Sequence, residues 1–303
     1  MERGVRWSEN LMKSLDRRAV VLQTARGEAQ LARDGQGPPV LVSHGGPGGF
    51  DLGLAWCRHL RDDGCELLAP SRPGYLRTPL QSGPSPESQA DLYAAMLDVL
   101  QIERVTVLGF SAGGPSAVHF AARYPERTKA LLLDAAILLP FEPPIGAARR
   151  ATYESGLLVW LSYQLVTRWP EMMARFMING VSKGLTSQQK KAAASWITSD
   201  PARLATFQEQ FTAIAPTKYR KAGSRNDDGN QRALAPLPFG DVAAPTVIAH
   251  GTNEGIVPLE HPRRAASEIS GAELVLVEEG HHVLSLSRNY RAVAQRQLEL
   301  AHS

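Results

Sequence analysis

Ser111 stands between two glycines in Gly109-Phe110-Ser111-Ala112-Gly113, and the chain elsewhere offers the histidine and carboxylate a serine needs to do chemistry. A serine hydroxyl is a poor nucleophile at neutral pH. It attacks a carbonyl only when a base within hydrogen-bond reach takes its proton. Among the 8 histidines, Gly280-His281-His282 follows the last expected strand at a glycine turn. His281, directly after the glycine, is the first candidate for the base and His282 the second. The base in turn needs a buried carboxylate to fix its tautomer. Glu254 is the one acid in the loop His250–Pro258, and Asp134, at the end of another strand, competes with it. The developing oxyanion needs N–H donors. The turn His44-Gly45-Gly46-Pro47-Gly48-Gly49 can bring the amide of Gly46 (or of Gly45) to it, beside that of Ala112.

Each candidate sits where a strand runs into a loop. Val105-Thr106-Val107-Leu108 reads as a strand covered on both faces, and the small residues after Ser111, then Val118, Phe120 and Ala121, read as a helix packed on it. A residue at the apex of so sharp a turn is strained, and the positions two before and two after it have no room for side chains. Gly109 and Gly113 occupy them. Arg18–Gln23 and Gly27–Arg33 read as a hairpin, followed by strands at Pro39–Ser43, Cys65–Ala69, Ala130–Leu133, Thr246–Ala249 and Glu273–Val277. Helices are expected over Pro86–Leu100, Glu260–Ile269 and Val283–Leu300. Strand–helix alternation stops between Ile137 and Ala235, which reads as several helices closed by a mobile polar loop at Arg220–Gln231. The fold class is therefore α/β: a doubly wound, mostly parallel sheet built from 1–136 and 236–303, with 137–235 inserted as a helical cap.

The 303 residues carry a net charge of +3, with 43% hydrophobic and 21% charged residues, the balance of an ordinary globular chain and not of a nucleic-acid binder. No apolar run is long enough to span a membrane, and Met1–Asp16 lacks the apolar core of a signal peptide. Cys57 and Cys65 have neither metal-site nor disulfide spacing, so a reduced, cytoplasmic protein is expected. Within the insertion, Trp160, Met173 and Met177 belong to an apolar block expected to line a substrate pocket above Ser111.

The order Ser111, Glu254, His281 is the chain order of the α/β-hydrolase triad, and the chain resembles α/β-hydrolase-fold proteins over roughly 20–137 and 236–300. The resemblance rests on His-Gly-Gly-Pro-Gly at 44–48, Gly-Phe-Ser-Ala-Gly-Gly at 109–114, the loop from His250 to Pro258 and the turn at Gly280. It implies Ser111 as nucleophile, His281 as base, Glu254 as acid and Gly46 with Ala112 as oxyanion donors. Three features depart from the usual pattern. The acid is Glu in place of Asp, the turn after the fourth strand begins Ser71-Arg72 in place of Asp-Arg, and Ala112 stands where proline iminopeptidases, whose oxyanion turn is similar, carry Trp. The expected function is a cofactor- and metal-independent serine hydrolase of a small ester or related acyl substrate. The alternatives are an aminopeptidase, with Glu142, Glu154 or Glu209 holding a substrate ammonium, and a non-catalytic binding protein on the same fold.

Overall fold

Strands form where aliphatic and β-branched residues run unbroken between turns. The computed structural model describes residues 2–142 and 155–303. Val20–Thr24 (β1) and Gly27–Asp34 (β2) make the expected hairpin, with Val20 opposite Leu31. Pro39–Ser43 (β3), Glu66–Pro70 (β4), Val105–Phe110 (β5), Thr128–Asp134 (β6), Thr246–Gly251 (β7) and Glu273–Val277 (β8) complete an eight-stranded sheet. Its order is β1-β2-β4-β3-β5-β6-β7-β8. Strand β2 runs antiparallel to β1 and β4, and every other neighbouring pair is parallel.

All six residues of β5 are buried, because helices cover both faces of the sheet. On one face, Val105 and Val107 pack with Leu92 and Met96 of Pro86–Leu100 (α4) and Val118 and Phe120 of Gly114–Arg123 (α5). On the other, Leu108 and Phe110 pack with Met12 of Glu2–Asp16 (α1), Leu54 and Trp56 of Phe50–Trp56 (α2) and Leu60 of Arg58–Asp62 (α3). The period-two alternation of the strand sends its side chains into two separate apolar cores. Cys57 and Cys65 are free thiols buried in the second.

Among the described residues, five helices lie between β6 and β7: Gly156–Arg168 (α6), Pro170–Val181 (α7), Ser187–Thr198 (α8), Pro201–Thr212 (α9) and Lys221–Arg232 (α10). The first four enclose a third apolar cluster that includes Val166, Ile178, Ile197 and Phe207. Helix α6 lies against α1, and α9 against α2. Helix α10 corrects the expectation of a mobile loop at Arg220–Gln231. Its composition is that of a loop, but Gly223, Asp227 and Gln231 recur every fourth residue and form one buried face. The apolar signal is missing because that face buries a carboxylate and an amide.

After β7 come Glu260–Glu268 (α11) and, beyond β8, Arg291–His302 (α12). The final helix starts later than expected, since a 3-10 turn at Leu284–Leu286 and an irregular stretch precede it. Among the described residues, no helix is long and apolar enough to cross a membrane.

Candidate active site

The carboxyl ends of β3, β5, β7 and β8 open on one side of the sheet, and each delivers one part of the site. Strand β5 ends in a 3-10 turn, Ser111–Gly113, that leads into α5. Ser111 has φ +50°, a left-handed conformation that costs a non-glycine residue energy and is held only by its surroundings. Gly113 shows why the turn tolerates nothing larger: a Cβ there would fall 2.0 Å from the carbonyl oxygen of Ser43. At Gly109 a Cβ would fall 2.5 Å from that of Ala117. The strand and the helix can approach closely only without those side chains.

The imidazole that reaches the serine is that of His282. Its Nε2 lies 3.1 Å from Ser111 Oγ, and its Nδ1 lies 2.7 Å from Glu254 Oε2. In the tautomer with Nδ1–H donating to the carboxylate, Nε2 is free to accept the serine proton. This corrects the expectation of His281, which lines a separate cleft with Leu185, Gln189, Ala193 and Ser287. His281 is 1% exposed, and neither ring nitrogen has a hydrogen-bond partner among the described residues. Burial pushes its pKa down to about 4. Two features set the direction of each ring. Gly280 packs against Gly251, where a Cβ would meet the Gly251 Cα at 2.9 Å, and the His282 amide donates to Val181 O at 3.1 Å. The glycine serves the crossing of two loops and does not mark the residue that follows it as the base.

Glu254 is fixed from several directions. Its Oε1 accepts from the amides of Ile256 (2.6 Å) and Val257 (3.2 Å) while Oε2 faces His282. Burial alone would raise its pKa, but the His282 charge, its hydrogen bond and the Ile256 amide outweigh that and hold the carboxyl below its ordinary range. Asp134, the competing acid, is spent elsewhere. It accepts from Tyr290 Oη (2.7 Å), Trp56 Nε1 (3.1 Å) and Gln297 Nε2 (2.7 Å), fully buried among α2 and α12. Val181 O, at the end of α7, accepts from the amides of both Gly255 and His282, so an inserted helix joins the acid loop to the base loop. No sequence motif signals that carbonyl.

The glycine turn after β3 runs alongside the serine. A Cβ on Gly45 would stand 3.0 Å from Ser111 Cβ, and one on Gly46 would stand 3.8 Å from Ala112 Cβ. Beyond Ala112 lies a shallow cleft walled by Pro115 and Ser116, by Arg72 and Asp227, and by Gln231 and Leu234. Trp160, Met173 and Met177, expected to line the substrate pocket, are engaged otherwise. Met173 is buried and Met177 half-buried in the core of the inserted helices, and Trp160 lies beside Gly4 of α1.

Sequence reasoning did not single out the charged groups around the turn. Arg72 is held in a buried fork by Asp227, and Ser71, in place of the usual Asp, donates to Gln30 Oε1 and accepts from the Phe50 amide. Of the acids considered for a substrate ammonium, Glu209 pairs with Arg58, Glu142 pairs with Arg232 at 3.2 Å, and Glu154 lies outside the described residues. Also among the described residues, no group of three His, Cys, Asp or Glu side chains is arranged to hold a metal ion.

Comparison with known proteins agrees with this architecture. A family model described as alpha/beta hydrolase fold matches residues 38–288. The sequence is 27% identical over 281 residues to the uncharacterized hydrolase YcgS of Bacillus subtilis, covering 90% of this chain and 95% of that protein. It is 25% identical over 271 residues to 2-hydroxy-6-oxo-2,4-heptadienoate hydrolase of Pseudomonas putida, covering 86% and 88%. Among solved structures, an alpha/beta hydrolase fold protein from Nakamurella multipartita superposes with a TM-score of 0.89 at 34% identity, covering 94% of this chain and 99% of that one.

Proposed function

Because this chain belongs to the alpha/beta hydrolase fold family and is a hydrolase of that fold, we propose that it cleaves a small ester or related acyl substrate through a serine acyl-enzyme. The observation that carries the reading is the single imidazole of His282 hydrogen-bonded between Ser111 and Glu254. Ser111 Oγ attacks the substrate carbonyl as His282 Nε2 takes its proton. Glu254 stabilises the imidazolium and keeps the ring oriented. The amides of Ala112 and Gly46 receive the oxyanion, each such donor lowering the barrier by roughly 3 kcal/mol. His282 then returns its proton to the leaving oxygen, and the acyl-enzyme forms. Water repeats the sequence, losing its proton to His282 and releasing the acid and free Ser111.

The helices of segment 137–235 act as a cap in this reading, with substrate entering between them and the sheet. In this reading the residues beside Ala112, among them Pro115 and Leu234, take the place of Trp160, Met173 and Met177 as the wall on which the substrate rests. A panel of short-chain aryl esters and thioesters, with an oxo-dienoate acid of the type named for the Pseudomonas relative as a separate arm, tests the proposal. The parent protein is expected to turn over at least one arm and to be labelled by a fluorophosphonate. Ser111→Ala is expected to lose both properties while melting as the parent does. Full turnover by that variant would overturn the assignment.

A further inference from the structure

We propose that helix α10 and the residue before it hold the oxyanion turn in place through two buried ion pairs, with Asp227 and Arg220 as positioning residues for the hydrolysis. The inference rests on the serine reading above and assigns the inserted segment a part in the chemistry beyond covering the site.

The turn His44–Gly49 is gripped from both ends. At its far end, the Arg220 guanidinium is 1% exposed. Its Nη1 donates to Gly48 O (2.6 Å) and Asp51 Oδ1 (2.9 Å), its Nη2 to Asp51 Oδ2 (2.7 Å), and its Nε to Ala215 O (2.8 Å). A Cβ on Gly49 would fall 2.6 Å from Nη1, so the cation lies directly on the turn. At the near end, Asp227 takes both arms of Arg72, Nη1 to Oδ1 at 2.7 Å and Nη2 to Oδ2 at 2.5 Å, and the Tyr75 hydroxyl at 2.6 Å. Arg72 Nε donates to His44 O at 2.6 Å. A Cβ on Gly46 would fall 2.7 Å from Asp227 Oδ2 and 2.9 Å from Tyr75 Oη.

Two consequences follow from this packing. First, the backbone that supplies the proposed donor is fixed by side chains seven residues apart on the inserted segment. A displacement of about 1 Å in such a group can cost on the order of 10²-fold in rate. Second, a bare carboxylate touching Gly46 would oppose an oxyanion forming on its amide. The Arg72 fork and the Tyr75 hydroxyl offset that charge and leave the amide dipole to act. Bidentate geometry on both pairs makes the arrangement sensitive to shape as well as to charge.

Arg220→Lys and Asp227→Glu keep each charge and alter only its geometry. In each, kcat on the best ester is expected to fall about 10- to 100-fold with KM within about threefold, and the affinity for an arylboronic acid that forms a tetrahedral adduct on Ser111 to weaken in parallel. Glu273→Gln, which breaks the exposed pair with Arg296, is the control and should keep kcat within about twofold. Tyr75→Phe removes one hydroxyl and serves if either charged variant fails to fold; its kcat should fall several-fold. Folded variants with kcat within twofold of the parent, or with a change confined to KM, overturn the proposal. Turnover that survives Ser111→Ala overturns the serine reading and this inference with it, whereas turnover lost there and unmoved in the α10 variants overturns this inference alone.

Discussion

A histidine poised between a hydroxyl and a carboxylate works as a base only while one ring nitrogen is kept free of its proton. In the proposed mechanism Glu254 does this for His282 by taking Nδ1–H, its own charge favoured by two backbone amides. Glu254→Gln should therefore lower kcat by about 10³- to 10⁴-fold in ester hydrolysis, and His282→Ala by at least as much. The neighbouring His281 belongs to stability. Its pKa of about 4 lies below the ordinary histidine value, so the folded chain resists a proton that the unfolded chain accepts. Stability from this residue is complete above pH 6.5 and declines as the pH falls toward 4, by about 2 kcal/mol at pH 5. His261, whose Nδ1 accepts from Leu138 N at 2.9 Å and whose pKa is likewise pushed down to about 4, acts in the same direction. Urea unfolding of His281→Leu at pH 7 and pH 5 should show a pH dependence about 2 kcal/mol smaller than the parent's, with kcat at pH 7 within a few-fold.

At the scale of elements, the turn from β5 to α5 is set by contacts that leave no room for a methyl group. Gly113→Ala would drive a Cβ into the carbonyl of Ser43, and it should cost about 3 kcal/mol or more in a thermal melt and reduce turnover with it. Helix α10 gives the opposite test. A Cβ on Gly229 meets nothing within 4 Å, so Gly229→Ala should raise stability by about 0.5–1 kcal/mol in urea, the gain of alanine over glycine inside a helix. A loop at this position would show no such gain. The helix escaped the sequence because periodicity is read from apolar residues, and its buried face carries Gly223, Asp227 and Gln231.

Over the whole molecule, the inserted helices are joined to the sheet by buried charge as well as by apolar packing. Arg72 is on the loop after β4 and Asp227 on α10, with side chains 2% and 7% exposed. Asp227→Ala leaves a guanidinium buried without its partner and should cost about 3–5 kcal/mol, whereas Arg72→Met with Asp227→Leu should recover much of that loss. Calorimetry of the two variants against the parent measures the difference. With the pair removed from one side, limited proteolysis is expected to cut the inserted segment before the sheet.

The order of strands and helices along the core, the strained serine and the loops that bring its partners were legible in local pattern, because unbroken apolar runs and glycine turns are properties of neighbouring residues. The α/β-hydrolase architecture follows from them. Which of two adjacent histidines meets the serine was decided by Gly280 packing on Gly251 and by Val181 O, contacts between segments far apart in the chain. The choice of Glu254 over Asp134, and the reach of Asp227 and Arg220 to the glycine turn, were decided the same way. A side chain's direction and its buried ionic partner depend on where distant backbone comes to rest, and only the folded chain fixes that.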